Sequence, residues 1–501
     1  MRETTRRLLL AAPVVGATGD WLLRGDDARL GFALWATLLV AVAAVLGGRA
    51  LGERRWLLLG ILAAAWGTVV RSAPHLQAID LASFLCTGAL AVWAGNGGAL
   101  RELTVLGAIR AAVMAPVTAV LGAAGALADL ASGTPSTDAA GATTAPRGRG
   151  AQRARALVLG VLLAGVPLLI VSGLLMSSDA VFAAFLDDIG GLLAREGVEH
   201  LIVIAALTWV TLGLTRAVLG APPVIAPRLP APPTVEFLTV SVALYGLVLL
   251  LALFLGTQAR ALFGGEAYLL ATAGLTRAAY ARQGFFQLAL ASGVVVGTLV
   301  VAESLLAADD AGGRRRYRAV GTVLVGQVAA LLGSAAWRLS LYVQEFGLTA
   351  DRALAAGVTC WVVALLVAFA ATTLRGQAVR FAPAMLRVTV GWVLLMHAVN
   401  LEGLVVRTNA ARAASGAPFD VAYHARLSPD ALPSLRRLGS VLPADQCAAL
   451  DTALRAHWAA ADARRAARGL TPGDWRQWSI AGARLRRWLA ARALPACAGA
   501  G

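Results

Sequence analysis

From about residue 8 to residue 399, apolar runs of membrane-crossing length follow one another, separated by short polar stretches. A helix needs roughly 20 apolar residues to cross a bilayer. Ala156–Met176 and Phe285–Ala302 contain no charged residue at all. The runs are continuous rather than alternating, which excludes a closed β-barrel. The pattern predicts spans near 8–23, 30–46, 55–72, 75–94, 155–176, 198–219, 236–258, 284–306, 317–337, 353–372 and 382–399. The expected fold class is all-α: a polytopic membrane helix bundle of about eleven spans, with a range of ten to twelve, and a helical C-terminal tail. Arg2, Arg6 and Arg7 precede the apolar run Leu8–Thr18 as in a signal peptide, but hydrophobic segments continue at once without a small-residue cleavage pattern, so the run reads as a first span.

Four segments follow from this pattern: 1–103 with four spans, 104–154, 155–400 with seven spans, and 401–501. Arg110 and Pro116 interrupt the apolar stretch 104–131, which is expected to lie on the membrane surface, with Ser132–Arg153 as a flexible linker. With the N-terminus cytoplasmic, sixteen arginines before the tail then fall in inside segments and eight in outside segments, following the positive-inside rule. This odd span count puts the tail outside, whereas its fourteen arginines argue for the opposite side. Within the tail, one helix is expected from Pro443 to Arg468. A second is expected from a Thr471 cap, with Trp475, Trp478, Leu485, Trp488 and Leu489 on one stripe and Arg476, Arg484 and Arg487 on another. That stripe suits either a membrane interface or packing against the preceding helix.

Composition supports the membrane assignment. The chain is 58% hydrophobic and 14% charged, with mean hydropathy +0.71, against roughly 25% charged in soluble domains. Net charge is +16 and every basic residue except histidine is arginine. Arginines in the segments between spans account for this charge without nucleic-acid binding, and the partner expected is the lipid bilayer, with a membrane or envelope protein beside it. The four cysteines show no metal or redox spacing, and the five histidines do not cluster in sequence. No soluble-enzyme motif occurs, so no catalytic, cofactor-binding or metal residue is assigned.

Polar groups at membrane depth are costly and mark functional positions or helix–helix hydrogen bonds. Asp20, Asp80, Glu303 and Arg387 are such residues, with Gln287, Gln327, His397 and Asn400 as milder ones. Gly293 and Gly297 have the spacing for close helix packing. Two inter-span segments stand out. Tyr280 and Arg282 enter one span. In 338–352, Arg338, Tyr342, Glu345 and Arg352 recur at helical spacing, with Gly347 able to end a helix and Thr349 able to cap the next.

These segments, YARQGFFQL at 280–288 and RLSLYVQEFGLTADR at 338–352, together with DVAYHARLSPDALPSL at 420–435, resemble a bacterial membrane family catalogued as domain of unknown function 4153/4173. The resemblance rests on Tyr280, Arg282, Gly284 and Phe285; on Arg338, Tyr342, Gly347, Thr349 and Arg352; and on Asn400, Arg407, Asn409, Asp420, Tyr423, Ser428, Asp430 and Pro433. DWRQWSIAGAR at 474–484 is similar to the family's tail end, with Ser479 where the pattern has Asn. The resemblance covers roughly 150–490 and implies a multi-pass protein of the bacterial cytoplasmic membrane, but no activity.

Three functional classes remain. A non-catalytic sensor, scaffold or envelope-assembly component is favoured. A small-solute or ion transporter would need a polar cavity through the midplane. A membrane enzyme acting on a lipid-linked substrate would need Arg282, Arg338, Glu345, Arg352 and Asp430 to converge.

Overall fold

The computed structural model describes residues 2–25, 27–131, 175, 179, 181–182, 184–185, 198–220, 234–263, 285–307, 309–438, 441–467 and 473–490. The principal helices are α1 (Arg2–Leu22), α2 (Arg29–Gly47), α3 (Arg54–Val70), α4 (Pro74–Gly95), α5 (Val105–Ala131), α6 (Val198–Val218), α7 (Phe237–Phe263), α8 (Phe285–Leu305), α9 (Ala311–Phe346), α10 (Ala350–Thr372) and α11 (Phe381–Val399). The tail contributes α12 (Leu401–Ala414), the short α13 (Val421–Ala425) and α14 (Leu432–Leu435), α15 (Ala444–Ala467) and α16 (Ile480–Ala490). Among the described residues, nine helices are long and apolar enough to cross a membrane. The chain is an all-α, multi-pass integral membrane protein. The expected span at 155–176 and the linker at 132–153 lie outside the described residues.

Short turns make successive helices antiparallel, so the bundle has two ends. One, the docked end, gathers the α1–α2, α3–α4 and α9–α10 turns and the exit of α11, and the tail packs over it. At the other, the free end, α2–α3, α4–α5 and the exit of α6 meet, and Arg54 donates to the Val218 carbonyl. The starts of α7 and α9 meet there too, where Asp310 caps α9 by accepting from Gly313 N–H at 2.7 Å. The outer surface is apolar in helical register. On α7, Leu238, Val242, Leu249 and Leu253 are all exposed at four- and seven-residue intervals, an apolar face of the kind a bilayer covers.

The segment 104–131 differs from its expected placement. It forms a 27-residue helix whose Val105–Ala126 portion is of membrane-crossing length, and it packs within the bundle against α6. The cause is a face of small residues: Ala115, Ala119, Ala123 and Ala126 are buried, and a Cβ on Gly213 of α6 would lie 1.6 Å from the Ala119 carbonyl oxygen. Small residues let backbones approach, which is how membrane helices gain packing energy. At Gly293 and Gly297, by contrast, an added Cβ would meet nothing within 4 Å among the described residues.

In the tail, α15 forms as expected. The second helix begins later than expected, at Ile480, because Ser479 caps it by accepting from Gly482 N–H at 3.1 Å. Before it, Asp474 caps a separate single turn at Trp475–Gln477. The predicted stripe divides accordingly. Leu485 and Trp488 are buried in the tail core, while Trp475 and Trp478 stay exposed.

Candidate functional site

The joint between tail and bundle concentrates the buried polar groups of the docked end. Its apolar layer comes first. Leu401, Val405, Leu432, Leu435, Leu450, Leu454 and Trp488 of the tail form one core with Ala73 just before α4, Leu76 of α4, Ala353 of α10 and Met396 of α11. Burying one such leucine is worth about 1.5–3 kcal/mol, against about 1 kcal/mol net for a hydrogen bond. The apolar layer therefore supplies most of the holding energy, and the polar groups fix the register.

Three side chains pin the tail to the inter-helix turns. Asp430 accepts from the backbone N–H of Ser72 at 2.6 Å and of Ala73 at 2.8 Å, at the start of α4. Those donors precede Pro74 and have no partner within the helix, so an acceptor there completes the α4 N-terminus. Asn409 accepts from Leu348 N–H at 2.8 Å and donates back to its carbonyl at 2.8 Å, engaging both backbone groups of the α9–α10 turn. The Tyr423 hydroxyl accepts from Ala350 N–H at 2.8 Å, and burial raises its pKa.

Around Asp430 the chain makes a bend at Asn400, which is left-handed (φ 51°). Asn400 accepts from Gly403 N–H at 3.1 Å, capping α12, and donates to the Asp430 carbonyl at 2.9 Å. Beside it, Glu402 is 4% exposed and accepts a hydrogen bond from Ser428. Burial, with the nearby Asp430 charge adding to it, pushes the Glu402 carboxyl up to about 7. Ser479, where the family pattern has Asn, lies 3.1 Å from Ser72 Oγ, and Arg29 donates to that same Ser72 oxygen at 2.5 Å. Behind Asn409, the His424 pKa is lowered by burial. Its Nδ1 lies 2.7 Å from the Asp420 carbonyl and its Nε2 3.2 Å from Asn409 Nδ2, as a neutral imidazole requires.

The remaining predicted residues fall as follows. Tyr280 and Arg282 lie outside the described residues. The Arg352 guanidinium stacks over the Tyr342 ring at 3.9 Å and donates to the Gly347 carbonyl. Gly347 (φ 79°) and Thr349 end α9 and cap α10 as expected. Arg338 is buried in α9, whereas Glu345 is exposed and offers its carbonyl to Arg412 at 3.1 Å. Arg407 is exposed, and Asp420 caps α13 by accepting from Tyr423 N–H at 2.9 Å. Arg352 and Asp430 therefore serve different contacts, the first on Tyr342 and the end of α9, the second on the start of α4.

Below the joint, Asp80 of α4 and His397 of α11 pair at 3.1 Å, with Asp80 2% exposed. Arg71 donates to the His397 carbonyl at 2.9 Å. A Cβ on Gly67 would meet the Asp80 carboxylate at 2.6 Å, so α3 needs glycine there. Among the described residues, the other two acids singled out within spans are paired as well: Asp20 with Arg24 at 2.6 Å and His200 at 3.1 Å, and Glu303 with Arg314 at 3.0 Å.

The model of the family described as "Domain of unknown function (DUF4153)" matches residues 57–438. The chain belongs to the DUF4153 family. The match begins at α3, upstream of the motifs that suggested it, and ends after α14, before the Trp475–Ser479 segment. Thus Ser72, Asn400, Asn409, Tyr423 and Asp430 lie inside the DUF4153 region, while Arg29 and Ser479 join the same cluster from outside it. No curated protein and no solved structure matches the chain.

Proposed function

We propose that this protein is a non-catalytic scaffold or assembly component that holds a rigid helical domain against the outer face of the bacterial cytoplasmic membrane. The observation carrying this reading is the use made of the motif side chains. Asn400, Asn409, Tyr423 and Asp430 are spent on locking the tail to helix ends, which is the chemistry of a joint.

The side assignment follows from charge. Arg6 and Arg7 in the first two turns of α1, Arg49, Arg54 and Arg55 at the α2–α3 turn, and Arg314, Arg315, Arg316 and Arg318 starting α9 all lie at the free end. The short turns of the docked end carry only Arg24, Arg29, Arg71 and Arg352. Basic short loops face the cytoplasm, and a tail of this length is not counted.

A second reading rests on Asp80 and His397, because a buried acid–imidazole pair between two spans is the kind of group that moves protons. Reconstitution into liposomes loaded with a pH-sensitive dye separates the two. The scaffold reading expects proton and cation flux equal to that of empty liposomes under an imposed potential. Flux that disappears in Asp80→Asn would overturn it in favour of transport.

A further inference from the structure

Three tryptophans at the docked end remain outside the joint. Trp21, Trp475 and Trp478 are 47%, 42% and 37% exposed, although indole is among the side chains most readily buried. Trp21 ends the outward stripe of α1 that carries exposed Leu10 and Val14. It follows Asp20, whose partner His200 is followed on α6 by exposed Leu201 and Ile202. The apolar outer surface thus still continues at the level of Trp21, and the polar pair Asp20–Arg24 marks its upper limit. The tail turn comes down to this level. The Trp475 ring centroid lies 5.4 Å from that of Trp21, and the Arg476 guanidinium stands 5.3 Å from the Trp21 ring and 5.9 Å from the Trp475 ring.

We propose that the turn at 474–478 seats the tail in the headgroup layer of the phospholipid bilayer, with Trp21, Trp475 and Trp478 as an interfacial aromatic rim. Tryptophan concentrates at this depth because its ring is apolar and its N–H needs a polar partner, and arginine reaches phosphates from the same level. The occupant is assigned from continuity: the rim adjoins a surface that the membrane already covers. This inference requires only that the bundle spans the membrane, and it is independent of the scaffold reading. Held at one side by the joint and at the other by lipid, the tail lies on the bilayer as well as on the protein.

The test uses the full chain in nanodiscs of phosphatidylcholine and phosphatidylglycerol. Trp478→Cys is made with Cys86 and Cys360 replaced by alanine, and is labelled with a nitroxide. Thr452→Cys on the exposed side of α15 is the aqueous control. The expected result at residue 478 is loss of broadening by a water-soluble nickel chelate relative to residue 452, with broadening by oxygen retained. Nickel broadening equal to that at residue 452, or screening from both reagents by a second copy or another protein, overturns the proposal. A measurement that needs no new cysteine uses lipid brominated next to the headgroup. Trp478→Phe and Trp475→Phe should each reduce the quenched share of tryptophan emission, and an unchanged share would contradict the assignment.

Discussion

Asp430 reaches across 358 residues of sequence to accept the backbone N–H of Ser72 at 2.6 Å, so that a tail carboxylate completes the N-terminus of a membrane helix. Replacing it should leave two buried donors without acceptors. Each such donor costs about 1–3 kcal/mol. Asp430→Ala is therefore expected to lower the unfolding midpoint in detergent and to make the tail cleavable by protease under conditions where the wild-type tail resists. Asp430→Asn retains one acceptor and should fall between the two.

At Asn400 the backbone and side chain make separate demands. A left-handed conformation costs most residues about 1–2 kcal/mol, and glycine almost none. Asn400→Gly should therefore lose only the α12 cap and the bond to the Asp430 carbonyl. Asn400→Ala should lose those and carry the backbone cost as well, so thermal melts should rank wild type above Gly above Ala.

The Glu402 carboxyl sits at about 7 in the folded protein, up from an ordinary 4.5. Over that window the folded chain holds a proton that the unfolded chain has released, so stability falls as pH rises from about 4.5 to about 7 and levels off above. His424, lowered by burial, acts in the opposite sense just below its ordinary 6.5. It is common to wild type and Glu402→Gln, so it cancels in their difference. Glu402→Gln should therefore gain stability relative to wild type as pH is raised through this window, as read from melting midpoints at fixed ionic strength. A difference independent of pH would contradict the burial of an ionisable Glu402.

Packing of α5 on α6 is tested at Gly213, where a methyl group would overlap the Ala119 backbone. Overpacking of this kind costs about 1–3 kcal/mol. Gly213→Ala should lower the unfolding midpoint measurably, whereas Gly293→Ala on α8, which meets nothing within 4 Å among the described residues, should not.

The membrane bundle was legible because span length and hydropathy are local properties, and the runs at 30–46, 75–94 and 353–372 became α2, α4 and α10. The placement of α5 was not. Arg110, Pro116 and the arginine balance are local cues, whereas the alanine face that buries this helix acquires meaning only opposite Gly213. The joint was half legible. Asp430, Tyr423 and Asn400 carried motif signals, yet their partners are backbone groups of distant turns, which leave no trace in side-chain chemistry. Glu402 was missed although an acid inside the run LEGLVV was its visible signal. Ser479 stood where the family pattern has Asn, and its hydroxyl still meets Ser72.

The central claim is that tail and bundle form one rigid body. The most direct test is the spin-label distance between Leu85→Cys on α4 and Thr452→Cys on α15, with Cys86 and Cys360 replaced by alanine, in nanodiscs. A single narrow distance distribution is predicted, broadening when Asp430→Ala and Asn409→Ala are combined. A broad distribution in the otherwise unaltered chain would contradict the joint and the function proposed from it.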